Sequence, residues 1–112
     1  MKQIHFSEKK HSMKVIVPIL DNEGLSLEDQ IETLKLSLTE RYGGATVYNA
    51  SGLWVNDDKS LMNDENVIIE TFNDEQFDYI IVEIIANYIL TECRQLAACV
   101  IVDGIMRIYE ED

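Results

Sequence analysis

The sequence predicts one α+β domain, a ferredoxin-like sandwich with two helices on one face of a mainly antiparallel sheet, in the order β-α-β-β-α-β-β. Three observations predict it. Leu27, Ile31, Leu34, Leu38 and Tyr42 recur at spacings of four, three, four and four, which is one face of an α-helix. A second stretch, Phe77 to Arg94, runs without Gly or Pro and carries Phe77, Ile80, Ile81, Ile84, Ile85, Tyr88 and Ile89 at helical spacing. Short β-rich runs flank both, and the last two are joined by Asp103-Gly104, a two-residue hairpin signal. At 112 residues the chain suits a single domain with a core of its own.

Each element has a local reason. Residues 1–12 are polar apart from Ile4 and Phe6 and read as a mobile arm or a short edge strand. Met13 to Leu20 is β-like, and Pro18, which lacks an N–H, should end that strand or place it at an edge. Asp21-Asn22-Glu23-Gly24 is turn chemistry. Ser26 then opens the first helix as a cap, with Asp29 as the acidic partner of a capping box. Gly43 or Gly44 supplies the left-handed residue that stops it.

Ala45 to Val55 is the next strand, interrupted at Ser51-Gly52 by either a bulge or a tight turn over 49–52. Asn56-Asp57-Asp58-Lys59 and Asn63-Asp64-Glu65-Asn66 read as the loop of a hairpin, and Val67 to Phe72 as its returning strand. Asn73 caps the second helix, with Gln76 at the third position. That helix is apolar on more than one side. One side should face the sheet; the other, with Ile81, Ile85, Tyr88 and Ile89, is expected to meet a partner subunit. Cys99 to Val102 and Ile105 to Tyr109 complete the sheet.

Charge narrows the function classes. The net charge is −12, although the first fourteen residues are basic, with Lys2, Lys9, Lys10 and Lys14 against Glu8. Such a body disfavours direct contact with nucleic acid and anionic membrane, and favours a basic protein partner. No apolar signal core and no membrane-spanning run is present, which fits a cytoplasmic protein. Cys93 and Cys99 read as free thiols, neither a disulfide nor a zinc site. His5 and His11 fall where the least structure is predicted, so no general base is assigned.

The run Leu38-Thr39-Glu40-Arg41-Tyr42-Gly43-Gly44-Ala45-Thr46-Val47, then Gly52-Leu53-Trp54, then Glu65-Asn66-Val67-Ile68-Ile69, resembles a family of small bacterial and phage proteins catalogued only as a domain of unknown function. In that family an Arg-aromatic pair ends the first helix, a Thr-Val strand follows and a Gly-x-Trp closes it. Gln95 fits the family's pattern, and Ile89 departs from it where a basic residue is expected. The resemblance implies two helices on an antiparallel sheet and no activity.

No nucleophile elbow, phosphate-cradling loop, cofactor motif or metal-ligand pattern occurs, so no catalytic residue, cofactor or metal is assigned. Asp57-Asp58 and Asp64-Glu65 read as solvated hairpin acids. Tyr48, Asn49, Ser51 and Trp54 are the candidate binding residues, clustered on one strand. The leading expectation is a non-enzymatic, acidic interaction protein, a homodimer or larger, acting as a phage or mobile-element inhibitor on a basic surface of a host nucleic-acid enzyme or defence protein. The alternative is a small-ligand binder or enzyme with a pocket on the open sheet face near Tyr48, Asn49 and Trp54.

Overall fold

The computed structural model describes residues 1–2 and 9–112. Ile4, His5 and Phe6 of the expected arm lie outside them. The order is β1 (His11–Pro18), α1 (Glu28–Tyr42), β2 (Thr46–Val55), β3 (Leu61–Asn73), α2 (Tyr79–Thr91), β4 (Ala97–Val102) and β5 (Ile105–Glu110). All neighbouring strands are antiparallel and lie in the order β2-β3-β1-β4-β5. The predicted α+β architecture, two helices on an antiparallel sheet, is present.

Strand alternation builds the core. Met13, Val15 and Val17 of β1, Val67 and Ile69 of β3, and Ala98, Val100 and Val102 of β4 are buried on one face. Helix α1 covers β3 and α2 covers β4. Ile31, Leu34 and Leu38 bury the predicted stripe of α1, and its last member, Tyr42, meets Phe77 edge-to-face with ring centroids 5.1 Å apart. Gly43 stops α1 at φ +82°, and its N–H bonds the Thr39 carbonyl. Thr71, buried among apolar groups, donates its hydroxyl proton to the Gly44 carbonyl at 2.9 Å.

Several boundaries differ from the sequence reading, each for a physical reason. Pro18 does end β1, but β1 is the central strand; β4 pairs with it only as far as Ile16, so the missing N–H interrupts no ladder there. Ser26 accepts the Glu28 N–H, and α1 begins two residues later than expected. Asn73 belongs to β3, opposite His11, and the cap of α2 is Asp78, whose carboxylate accepts the Ile80 N–H at 2.9 Å. The β2–β3 register runs unbroken from Thr46↔Glu70 to Val55↔Leu61, with neither bulge nor turn at 49–52. A Cβ at Gly52 would sit 3.0 Å from Asn66 Nδ2, so glycine answers a close approach there.

Two further expectations change. The hairpin loop is only 56–60, and Asn63 to Asn66 are strand residues. The expected partner side of α2 is turned inward: Ile85 and Ile89 are buried, and Ile81 and Tyr88 pack against the core. The apolar residues that α2 exposes are Tyr79, Ile80 and Ile84.

Candidate functional site

Because β1 stops at Pro18, opposite Asn66, the rest of the β2–β3 hairpin continues past the sheet as a two-stranded arm. The chain leaving β1 turns back beneath that arm. Ile19 donates its N–H to the Glu65 carbonyl at 3.1 Å, and Leu27 donates to Ile19. The loop between α2 and β4 closes the other side: Gln95 Nε2 donates to the Leu20 carbonyl at 3.2 Å and the Cys93 carbonyl at 3.0 Å. These three segments enclose a cleft of about 480 Å³, with Pro18, Ile19 and Leu20 facing Trp54, Asp64 and Glu65. That volume lies in the range of small-ligand sites, roughly 300–1,000 Å³.

The cleft is acidic and aromatic. Trp54 Nε1 donates to Asp64 Oδ2 at 3.0 Å, which fixes the indole plane. Ser51 donates to Glu65 Oε1 at 3.1 Å. Asp21 also lines the cleft but is already engaged. Its Oδ1 accepts the Glu23 and Leu25 N–H groups, and its Oδ2 accepts Arg94 Nε at 2.6 Å. The Leu25 amide and the Arg94 guanidinium hold the Asp21 carboxyl below its usual range. Asp21 and Arg94 therefore fasten the floor, and Asp64, on the same face as Trp54, presents negative charge beside the indole, whereas the Glu65 carboxylate turns with Ser51 to the other face.

The four predicted binding residues do not converge. Strand alternation sends Tyr48 and Trp54 to one face of β2 and Asn49 and Ser51 to the other. Trp54 alone lines the cleft. Tyr48 lies on the sheet face away from the helices, with its hydroxyl 3.5 Å from Glu70 Oε1. Glu70, with Lys14 Nζ at 4.0 Å, borders a shallower cleft by Tyr42, Gly44, Thr46 and Phe72 at the opposite end of the sheet. The Asp64-Glu65 pair was visible in the sequence, but its strand setting was not. Ile19, Leu20 and Gln95 reach the cleft only through tertiary folding.

Among the described residues, no group of three or more His, Cys, Asp or Glu side chains gathers as a metal site, and no helix is long and apolar enough to cross a membrane. His11, at the start of β1, is tied to Asp103 at 2.8 Å, away from the cleft. Cys93 is buried, and its thiol is pushed up to about 11 by desolvation.

Fold and cleft together define a small α+β protein with an open acidic and aromatic recess beneath a projecting hairpin. No family model matches the sequence, and no curated protein matches it. Two solved structures match 99% of this chain and 94% of their own. One is a phage SAM lyase in complex with S-methyl-5′-thioadenosine, with TM-score 0.63 and 15% identity. The other is a phage SAM lyase in the apo state, with TM-score 0.56 and 17% identity. At these identities the likeness is one of fold. It nevertheless corrects the leading expectation of a non-enzymatic inhibitor that docks on a basic protein: the fold is shared along the whole chain with an enzyme. Part of the acidic charge that suggested docking lines a ligand-sized recess instead.

Proposed function

We propose that this chain is an enzyme that cleaves a sulfonium nucleoside of the S-adenosylmethionine type and releases S-methyl-5′-thioadenosine. The observation that carries the reading is the whole-chain likeness to a SAM lyase structure holding that thioether. The chemistry of the cleft supports it. A sulfonium is a permanent cation on an apolar frame. Asp64 attracts the charge, and the fixed face of Trp54 offers cation–π attraction or a stacking surface for a nucleobase.

In such a cleavage the bond between sulfur and the four-carbon amino-acid chain breaks and its electron pair returns to sulfur. The carbon left behind is satisfied within the same fragment, either by its own carboxylate oxygen, which closes a lactone ring, or by a C–C double bond formed as a neighbouring C–H proton passes to bulk solvent, so no water is added and no oxidant is consumed. Charge on sulfur falls as the bond breaks. Carboxylates facing it therefore hold the substrate more strongly than the transition state, and their contribution is to capture rather than to rate. The wall of Pro18, Ile19 and Leu20 offers apolar contact to the frame that carries the sulfonium.

The inner strands β2-β3-β1-β4, all antiparallel and linked through two helices, support a ferredoxin-like arrangement with β5 added at the edge.

Trp54 is the only tryptophan, so its fluorescence reports on the cleft directly. Titration with S-adenosylmethionine and with S-methyl-5′-thioadenosine should shift or quench that emission saturably. Unchanged emission with both ligands, and no thermal stabilisation by either, would overturn the assignment.

A further inference from the structure

The carboxamide of Gln95 has only one orientation that its neighbours allow. Its nitrogen faces two groups that can only accept, the Leu20 carbonyl at 3.2 Å and the Cys93 carbonyl at 3.0 Å, and these take both of its protons. A glutamine on an open surface can turn its amide either way. Here the turn would forfeit both bonds and set the amide oxygen against two carbonyl oxygens. The Gln95 oxygen therefore points away from both, and it accepts no hydrogen bond among the described residues. Nor is it sealed in: the buried side-chain nitrogen or oxygen left without a partner among those residues is Arg107 Nε.

Two hollows meet at this amide. Gln95 and Asn22 line the cleft that holds Trp54 and Asp64, and they also line a neighbouring recess of about 410 Å³ with Leu90, Arg94 and Leu96. A nucleoside whose sulfonium is drawn to Asp64, on the arm, extends its base to the opposite wall, where Gln95 stands.

We propose that Gln95 selects the base, and that it selects a 6-amino purine over a 6-oxo purine. Adenine turns an N–H of its 6-amino group to the Gln95 oxygen. A 6-oxo purine brings a carbonyl there, oxygen against oxygen, and Gln95 has no proton left to offer it. Asn22 does not make this choice. Its carboxamide is exposed and has no partner among the described residues, so it turns to suit either form of the adjoining ring nitrogen. A site whose polar atom is left unpaired by the wrong ligand discriminates strongly, and in an open cleft the factor should be about 10- to 100-fold. This inference rests on the reading of the cleft as a sulfonium-nucleoside site and adds the residue that recognises the base.

Trp54 emission tests it, titrated with S-methyl-5′-thioadenosine and with its 6-oxo counterpart, S-methyl-5′-thioinosine. The wild type should bind the 6-amino ligand about 10- to 100-fold more tightly. Gln95→Met, which keeps the length and removes the acceptor, should lose most of that preference while its thermal melt shows a folded protein. Asn22→Ala should keep the ratio between the two ligands. If Gln95 only ties the loop to Leu20, Gln95→Met weakens both ligands alike and the preference persists, which overturns the inference. Loss of the preference in Asn22→Ala overturns it as well. Equal binding of both ligands by the wild type overturns it and leaves the cleft reading standing, whereas binding of neither overturns both.

Discussion

Replacing Asp64 by Asn removes one charge from the cleft and little else. The amide oxygen can still accept the Trp54 N–H that the carboxylate now accepts at 3.0 Å, so the indole should keep its place. A sulfonium beside Trp54 would sit about 5 Å from this group, and the cleft is open, with Trp54 itself 47% exposed. With an effective dielectric between about 20 and 80, the lost attraction is about 1–3 kcal/mol, or about 5- to 150-fold in affinity. Because the sulfur charge falls in the transition state, the loss should appear in KM, with kcat unchanged or raised. Steady-state kinetics on S-adenosylmethionine, at two ionic strengths, would measure this. The variant should also lose part of the wild type's salt sensitivity. A large fall in kcat at constant KM would refute the capture argument, and kinetics identical to wild type would remove the cleft from the substrate's path.

Three further outcomes follow from the fold. Ile89→Ala empties a fully buried site under α2 and should cost about 2–5 kcal/mol in urea unfolding, whereas Ile84→Ala, exposed on the same helix, should change stability by about 0.5 kcal/mol or less. The Asp21 carboxyl is held below the ordinary carboxylate range by the Leu25 amide and Arg94. Its folded-state value is lower than its unfolded one, so its contribution is fully present above about pH 4 and is lost as pH falls through the folded value. Thermal melts of wild type and Asp21→Asn should therefore differ most at neutral pH and converge in acid. Cys93, buried and pushed up to about 11, should resist a thiol reagent at pH 8 until denaturant opens the core.

The parts of the fold legible in the sequence are those governed by local period and turn chemistry. The α1 stripe, the Gly43 stop and the Asp103-Gly104 hairpin, with φ of 51° and 80°, are all local. The Asn63 to Asn66 run looked like a loop because its residues are turn formers. It is a strand because Ser51 and Trp54 across the hairpin hydrogen-bond to its acids. The start of α2 shifted because pairing with His11 recruited Asn73 into β3. The partner side of α2 was misplaced because a uniformly apolar helix gives period alone no way to choose the side the sheet will cover.

The candidate site was legible at one residue, Trp54. Clustering along a strand does not make a pocket, since alternation divides Tyr48 and Trp54 from Asn49 and Ser51. The other walls, at Ile19, Leu20 and Gln95, come from segments brought together only by the return of the chain beneath the arm.

The most direct measurement is turnover itself. Purified protein is incubated with S-adenosylmethionine in ¹⁸O-enriched water, and the products are separated and weighed by mass spectrometry. The account predicts one S-methyl-5′-thioadenosine for each substrate consumed, with no heavy oxygen incorporated at the bond-breaking step. Unconsumed substrate at high enzyme concentration would contradict the proposed enzyme, and an ¹⁸O label introduced when that bond breaks would contradict cleavage without water.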